Sequence, residues 1–347
     1  MKNGAIWLDS DKKLINARGG GILAFNGRYY WYGEHKRAGK TGYLALDGVH
    51  CYESGDLKHW DDRGIVLAVS DDPTSPIVSG CRIERPKVIF NAKTGKFVMY
   101  FHSTDEWHRL AKRGLAVADS PTGPFSFLGA SRVNAGFWPI NISPEDKADN
   151  SEIPPESEFS NGESQEVRQY RIYARDRMQG QMARDITLFV DDDNKAYHIY
   201  SSEHNSTLHI AEFTDDYLDW TGRYVRVFPN RWNEGAAMFK YNKKYYLLSS
   251  GCSGWAPNTA RAGVADHIFG PWKELPNPCR GINPENNLGP EKTFGGQSTF
   301  VLPAGDRRIA MFDLWNSETF SDSRYCWLDI HLTESGYEIP WKDDFQF

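Results

Sequence analysis

The sequence predicts an all-β protein, a five-bladed β-propeller that occupies residues 1–347 as a single domain. One two-strand phrase recurs five times along the 347 residues, and a second phrase that contains a prominent aromatic residue follows each copy. Together the two phrases supply four strands per unit. Five such units packed radially leave only short, protected sheet edges, whereas two β-sandwiches would not repeat one phrase in phase.

Each copy of the first phrase is predicted to form a strand, a tight turn and a second strand. The turns contain residues such as Asn26-Gly27, which tolerate positive φ or bond their own backbone, and the flanking runs are β-branched and aromatic. The second phrase, for example "TDDYLDWTG", supplies the outer strands. The five copies of the first phrase are residues 19–35, 84–102, 184–203, 233–251 and 296–316.

The third copy begins late, because an extra segment at about residues 139–178 precedes it. This segment is rich in Glu, Ser, Pro and Asn and poor in apolar residues. Such a composition disfavours packing in a core. We therefore predict a polar surface insertion, and a wall beside the functional site is the alternative.

Composition and charge narrow the classes of partner. The net charge is -6 without a basic block, which argues against nucleic acid, and no apolar run is long enough to insert into a membrane. Five cysteines without CxxC spacing argue against a zinc knuckle and leave one disulfide open. Aromatic residues make up 14% of the chain, a content that suits flat platforms for sugar rings.

Propeller geometry selects candidate functional residues. The innermost strands all begin on one face, so Glu84, Asp185 and Glu234, which open three of the phrases, are expected to meet in one cup. Paired carboxylates near aromatic rings suit hydrolysis of a glycosidic bond, in which one carboxylic acid protonates the leaving oxygen and a carboxylate activates water or attacks. The alternative is that these residues cap strand ends or pair with Arg85 and Arg184.

Two of the phrases, "RDITLFVDDDNKAYHIY" and "NEGAAMFKYNKKYYL", resemble blade motifs of glycoside hydrolase family 43, which comprises inverting five-bladed propeller enzymes acting on plant polysaccharides. The phrases "NARGGGILAFNGRYYWYGEH", "ERPKVIFNAKTGKFVMYFH" and "GQSTFV" resemble the exo-β-1,3-galactanase branch. The resemblance implies that no cofactor is required and is compatible with a structural calcium ion. The resemblance assigns no residue of this chain as a ligand of a catalytic metal.

The resemblance also implies roles for individual residues. Glu234 matches the general acid, and Asp185 matches the carboxylate that modulates its pKa. Most family members carry a general-base Asp where this chain has Gly19, so the usual base is missing. In the similar branch, the residues that match Glu84 and Gln297 surround the anomeric carbon. We expect Glu84 to contribute to water activation or sugar binding and Gln297 to position water or a hydroxyl group.

Arg18 stands where the galactanase-like pattern has His. An Arg cannot act as a base, so it reshapes the pocket, pairs with Glu84 or marks a changed or lost activity. Other residues near the same face are candidates to contact sugar, and one or two of the aromatic ones are expected to do so. These further candidates are Glu34, Arg184, Glu203, Trp232, Trp255, Trp315 and Tyr32.

The sequence thus predicts an exo-acting, inverting glycosidase that releases a terminal sugar, with galactose from β-1,3-galactan or arabinogalactan side chains as the expected product. An α-L-arabinofuranosidase or β-xylosidase of the same family is the enzymatic alternative. A catalytically inactive carbohydrate-binding propeller is the alternative from another class, because the blade-one Asp is absent. We expect a plant polysaccharide or oligosaccharide as partner and a periplasmic or extracellular location.

Overall fold

The computed structural model describes residues 1–39, 41–105, 108–149, 171–322 and 324–347. Strands are the main secondary structure of these residues, which also contain two short α-helices and a 3-10 helix at Pro290–Gly295. The strands are β1 (Arg18–Phe25), β2 (Arg28–Glu34), β3 (Gly48–Ser54), β4 (Asp61–Ala68), β5 (Arg82–Asn91), β6 (Lys96–Thr104), β7 (Lys112–Ala118), β8 (Ser126–Ser131), β9 (Ile186–Val190), β10 (Ala196–Ser202), β11 (Thr207–Phe213), β12 (Trp220–Val227), β13 (Glu234–Tyr241), β14 (Lys244–Ser250), β15 (Arg261–Ala265), β16 (Lys273–Leu275), β17 (Cys279–Arg280), β18 (Gly296–Ala304), β19 (Arg307–Leu314), β20 (Arg324–Asp329), β21 (His331–Thr333) and β22 (Gly336–Pro340).

The strands form an all-β propeller, as predicted. Sheets 1 to 4 each contain four consecutive antiparallel strands, β1–β4, β5–β8, β9–β12 and β13–β16, and sheet 5 contains β18, β19 and β20. The innermost strands β1, β5, β9, β13 and β18 contact one another in sequence, and β18 contacts β1 to close the ring. The openings of all five recurring phrases therefore surround one axis.

The prediction of five four-stranded units is wrong in detail, because the described strands form six sheets, five of which surround the axis. The last strand of the chain, β22, was expected to complete the fifth unit, but it pairs in parallel with β17 and antiparallel with β21 to form sheet 6. The backbone N–H of Ile339 donates to Pro278 and that of Trp341 donates to Arg280, both at 2.8 Å. The strand β22 thus forms backbone hydrogen bonds with a strand far away in the sequence. A pattern of local hairpins does not reveal such a pairing.

The predicted turns account for the hairpins. Asn26, Gly27, Asn194 and Gly305 all adopt positive φ between consecutive strands, at 48°, 74°, 63° and 60°. Such φ values cost little in Gly and Asn, which explains why the sequence places these residues between the strands.

Much of the aromatic content lies in the core between the sheets. Trp31 packs against Trp60 and Trp327 with ring centroids 5.3 and 5.0 Å apart, and Trp7 lies 5.0 Å from Trp327. All four indoles are almost fully buried. Tyr32, a candidate for sugar contact, is also fully buried, so it cannot reach a ligand.

The predicted insertion at 139–178 is only partly described. Helix α1 (Pro144–Ala148) is exposed, whereas helix α2 (Ile172–Arg175) buries Ile172 and Tyr173. The remainder of that prediction, residues 150–170, lies outside the described residues. Neither helix has the length and apolar character that crossing a membrane would require. The five cysteines, all within the described residues, are free thiols.

Close contact between two backbone segments fixes the start of sheet 1. A Cβ atom added to Gly33 would lie 2.1 Å from the carbonyl carbon of Ala17, so β2 and the residue before β1 touch through their backbones. Arg18 and Glu34, the neighbours of these two residues in sequence, are thereby held side by side; they are partners in the β1–β2 register.

We predict that Gly33→Ala lowers the free energy of unfolding by about 3 kcal/mol, because the added methyl group would clash with backbone atoms, which move aside less readily than a side chain does. Gly95→Ala is the matched control: Gly95 has φ of 69° but no atom near its added Cβ. The control should lose about 1 kcal/mol, the cost of positive φ alone. Urea unfolding measures both changes, and equal losses in the two variants would contradict the contact.

Candidate active site

One cavity of about 470 Å³ opens at the end of the axis where the innermost strands begin. Eight of the residues predicted to serve the site line it: Arg18, Glu34, Glu84, Asp185, Glu234, Trp255, Gln297 and Trp315. These residues come from sheets 1 to 5 and their connections. The structure therefore brings the three predicted acidic residues to one cavity.

Irregularities in the innermost strands aim these side chains. The register shifts between Arg18 and Gly21 in β1, between Glu84 and Lys87 in β5, and between Glu234 and Ala237 in β13. The second residue of each irregularity has positive φ, at 60° in Gly19, 56° in Arg85 and 58° in Gly235. Bulges of this kind re-aim side chains at the rims of sheets. Three sheets thus present the same local geometry to the cavity.

Glu234 lies in an environment that favours its protonated form. Burial, followed by the nearby Asp185 carboxylate, raises the pKa of Glu234 to about 8. Its Oε1 accepts a hydrogen bond of 2.8 Å from Asn205 Nδ2. Asp185 is anchored beside it, because Asp185 Oδ2 accepts a 2.9 Å bond from the backbone N–H of Gly235. At neutral pH this glutamic acid can donate a proton.

Arg85 joins the floor of the cavity. Its guanidinium lies 3.1 Å from Asp185 Oδ2, donates to the carbonyl oxygen of Ser298 at 2.8 Å and donates to Gln297 Oε1. Its backbone N–H donates to Glu34 Oε1 at 2.9 Å. Arg85 therefore links residues of sheets 3 and 5 through its guanidinium and a residue of sheet 1 through its backbone N–H.

Glu84 lies in an environment opposite to that of Glu234. Its Oε2 is 2.8 Å from His102 Nδ1, and its Oε1 is 3.6 Å from Arg82 and 3.8 Å from His108. Burial alone would raise the pKa of Glu84, but His108, the His102 hydrogen bond and Arg82 outweigh it and hold that pKa well below its usual range. Glu84 is thus a carboxylate at neutral pH.

An aromatic wall faces the carboxylates. Trp255, which is 46% exposed, lies edge-on to Trp315 and Phe320, with ring centroids 5.6 and 5.0 Å away. The Arg18 guanidinium packs 4.0 Å from the centre of the Trp315 ring and donates to the Phe320 carbonyl oxygen at 3.1 Å. Because Arg18 is only 1% exposed, it supports this wall from behind. Of the three alternatives for Arg18, this contact favours a reshaped pocket.

Besides the buried Tyr32, three predicted sugar contacts lie outside the cavity lining. Glu203 is buried in sheet 3, where it accepts bonds from Arg226 at 2.6 and 2.8 Å and lies 2.9 Å from His209. Its pKa is lowered to about 2, since these partners outweigh its burial. Trp232 and Arg184 do not line the cavity either. Glu203 follows β10 with a φ of 52° and forms a structural ion pair with Arg226. The prediction that it lies at the cavity rested on its position in the repeat alone and is wrong.

Several residues that line the cavity occupy no position that the repeat selects. Arg82 precedes the second phrase copy by two residues. Lys36 lies two residues after Glu34, and its Nζ is 2.8 Å from Glu34 Oε2. Tyr43, His108 and Phe320 lie in connections between strands, where no repeat applies. Arg85 was noted only as a pairing partner, although its place directly after Glu84 was a usable signal.

Gly19 has a steric explanation in the cavity. A Cβ atom at this position would lie 2.3 Å from Glu34 Oε1, and the backbone has φ of 60°. The Glu34 carboxylate thus fills the space in which a side chain at position 19 would begin. The neighbouring Asp313 accepts a 2.6 Å bond from the Gly19 N–H, and burial raises its pKa to about 6.

The arrangement of His and carboxylate side chains limits where a metal ion could bind. Among the described residues, one group of three His or carboxylate side chains is close enough to hold a metal ion, namely Glu84, His102 and His108, whose ligand atoms lie within 4.8 Å. A calcium ion does not fit at Gln297, because Gln297 Oε1 already accepts from the Arg85 guanidinium. The predicted structural calcium ion stays a prediction.

Comparison with known proteins agrees with this geometry. The family model described as "Glycosyl hydrolases family 43" matches residues 168–319. A family 43 β-1,3-galactosidase, solved with galactodeoxynojirimycin, is 45% identical, with a TM-score of 0.91 over 100% of both chains. An exo-β-1,3-galactanase from Phanerochaete chrysosporium, solved with β-1,3-galactotriose, is 28% identical, with a TM-score of 0.77 over 99% of this chain and 67% of that one.

A curated relative, a xylosidase/arabinosidase from Thermoclostridium stercorarium, is 30% identical over 114 residues. That match spans 32% of this chain but only 23% of the relative. Enzymes of the family generally need no cofactor. The full-length similarity to a solved family member, together with the acidic cup at the propeller axis, shows that the chain is a glycoside hydrolase and belongs to glycoside hydrolase family 43.

Proposed function

We propose that the protein is an exo-acting, inverting galactan 1,3-β-galactosidase that releases galactose from the ends of β-1,3-galactan or arabinogalactan side chains. The observation that carries this proposal is that Glu234 and Glu84 line one cavity, in surroundings that raise the pKa of Glu234 and lower that of Glu84. The similarity to a β-1,3-galactosidase over the whole chain supports the choice of sugar and linkage.

In the proposed mechanism Glu234 protonates the glycosidic oxygen as the bond to the anomeric carbon breaks. A water molecule attacks from the opposite side of the ring and gives its proton to Glu84. Asp185 keeps Glu234 protonated in the free enzyme through its negative charge. Gln297, fixed by Arg85 and by a 2.8 Å bond from its Nε2 to Ser250 Oγ, positions the water or a hydroxyl group.

The shape of the cavity supports action at a chain end. Arg85 and Gln297 come from two different sheets, both line the cavity and bond to each other, so we expect them to block the passage of a polysaccharide through it. The exposed Trp255 on the opposite wall is placed to pack against a sugar ring near the mouth. We assign sugar contact to Trp255 and Trp315, with Arg18 and Glu34 as supports of the wall and floor.

Further parts of this proposal concern the setting of the protein. We propose that residues 1–347 act as one catalytic domain, that the substrate is a plant polysaccharide or oligosaccharide, and that the enzyme works in the periplasm or outside the cell. Similarity to a xylosidase/arabinosidase keeps α-L-arabinofuranosidase or β-xylosidase activity as the second candidate. Absence of a side chain at Gly19 keeps an inactive sugar-binding propeller as the third.

The function is tested with β-1,3-galactobiose, 2,4-dinitrophenyl β-galactoside and the matching arabinofuranoside and xyloside. The unmodified enzyme should release galactose, first seen by NMR as the α-anomer. Glu234→Gln should slow galactobiose cleavage about 1000-fold but affect the dinitrophenyl substrate far less, because a good leaving group needs no proton. Glu84→Gln should slow both. Binding of galactobiose without any release of sugar would instead establish the inactive propeller.

Asp185→Asn should move the alkaline limb of the kcat/KM profile to lower pH by about one unit. Activity needs protonated Glu234, so it is present below about pH 8 and is lost as pH rises through that value. Removing the Asp185 charge lowers the pKa of Glu234, and Arg85, without its partner, lowers it further. Asp47→Asn, which removes a carboxylate paired with Arg37 outside the cavity lining, is the control. An unmoved limb in Asp185→Asn would contradict the coupling.

A further inference from the structure

The hydrogen bond between Glu84 and His102 has a definite direction. The two residues face each other on neighbouring strands, as register partners in β5 and β6, and His102 Nδ1 lies 2.8 Å from Glu84 Oε2. The His102 ring is 2% exposed. Since an ionised carboxylate can only accept, the proton of this bond belongs to His102 Nδ1.

The other ring nitrogen of His102 makes no comparable contact. His102 Nε2 is buried and has no hydrogen-bond partner among the described residues. The contact of the ring with Glu84 is therefore made through Nδ1, which acts as the hydrogen-bond donor.

This bond leaves the two oxygens of Glu84 unequal. Oε2 is occupied by His102, whereas Oε1 has Arg82 at 3.6 Å and His108 at 3.8 Å, both beyond ordinary hydrogen-bond length. The ring of His108 stacks on that of His102 with centroids 5.8 Å apart, which limits movement of both. Oε1 is thus the oxygen left for a water molecule in the cavity.

We propose that His102 is a positioning residue, which holds Glu84 by one hydrogen bond so that Oε1 alone is presented to the attacking water. The inference rests on the proposed function, which gives the proton of that water to Glu84. In the reaction the water oxygen bonds to the anomeric carbon, its proton goes to Glu84 Oε1, and the proton of Glu234 goes to the leaving oxygen. His102 keeps its own proton throughout.

Sheet 3 contains a matched histidine with no such role. His209 is fully buried and lies 2.9 Å from Glu203, but that carboxylate also binds Arg226 through two bonds and lies outside the cavity lining. Loss of the His209 bond should therefore affect folding stability alone. Comparison of the two histidines separates a role in positioning Glu84 from the general benefit of a buried hydrogen bond.

The experiment compares His102→Leu and His102→Asn, two side chains of similar size. Leu removes the donor, and the amide nitrogen of Asn can take the place of Nδ1. We expect His102→Leu to lower kcat about 10- to 100-fold, as loss of a supporting hydrogen bond typically does, with little change in KM. His102→Asn should recover most of the lost rate.

The pH profile gives a second readout that a purely structural role would not move. The charged and titratable groups around Glu84 are Arg82 on its own strand, His102 and His108 from β6 and the segment after it, and Glu234 from β13; Arg184 faces His108. With these unchanged, loss of the His102 donor should move the acidic limb of kcat/KM to higher pH. The control His209→Leu should lower stability and leave that limb in place.

The outcomes distinguish this inference from the proposed function. If Glu84→Gln keeps full activity, the assignment of Glu84 fails and the inference fails with it. If Glu84→Gln is inactive while His102→Leu keeps its rate and its acidic limb, only the positioning role fails. Equal losses of kcat in His102→Leu and His102→Asn would show that His102 contributes only through packing. Should His102→Leu not fold, His102→Met, which also lacks a donor, replaces it with the same expected result.

Discussion

The buried guanidinium of Arg85 is the contact on which the cavity depends. It contacts Asp185 and Gln297 directly, and its backbone N–H holds Glu34. Without a cation at this place, several carboxylates would face one another in a region of low dielectric, where like charges repel strongly. The propeller gathers acidic residues from separate sheets, and the positive charge of Arg85 offsets the repulsion between them. Its positive φ shows that the backbone is bent to bring it there.

Two glutamates in one cavity acquire opposite protonation states because their neighbours differ. Glu234 is buried and has the Asp185 carboxylate nearby, so it keeps its proton to about pH 8. Glu84 has two histidines and Arg82 around it and loses its proton. Separation of the pKa values of neighbouring carboxyl groups is what assigns an acid and a base in a site of this kind. The fold supplies the meeting place, and local contacts supply the chemistry.

Local patterns predicted the parts of the fold that local physics decides. Turns such as Asn26-Gly27, with the β-branched and aromatic runs beside them, identified the hairpins. Equivalent positions in the repeats placed Glu84, Asp185 and Glu234 together. Sheet 6 escaped prediction because β22 pairs with β17, a strand far away along the chain. Glu203 was misplaced for a related reason, since its partner Arg226 lies on a strand that the repeat does not single out.

The missing side chain at position 19 is the feature that most needed the three-dimensional structure. Sequence alone presented Gly19 as the loss of a base, whereas the cavity shows that the Glu34 carboxylate fills that space. The most direct test of the whole account is a crystal structure of Glu234→Gln with β-1,3-galactobiose bound. The account predicts the terminal galactose in the cavity, with the glycosidic oxygen within hydrogen-bond distance of residue 234 and Glu84 on the other side of the ring. A disaccharide bound elsewhere, or with both residues on the same side of the ring, would contradict it.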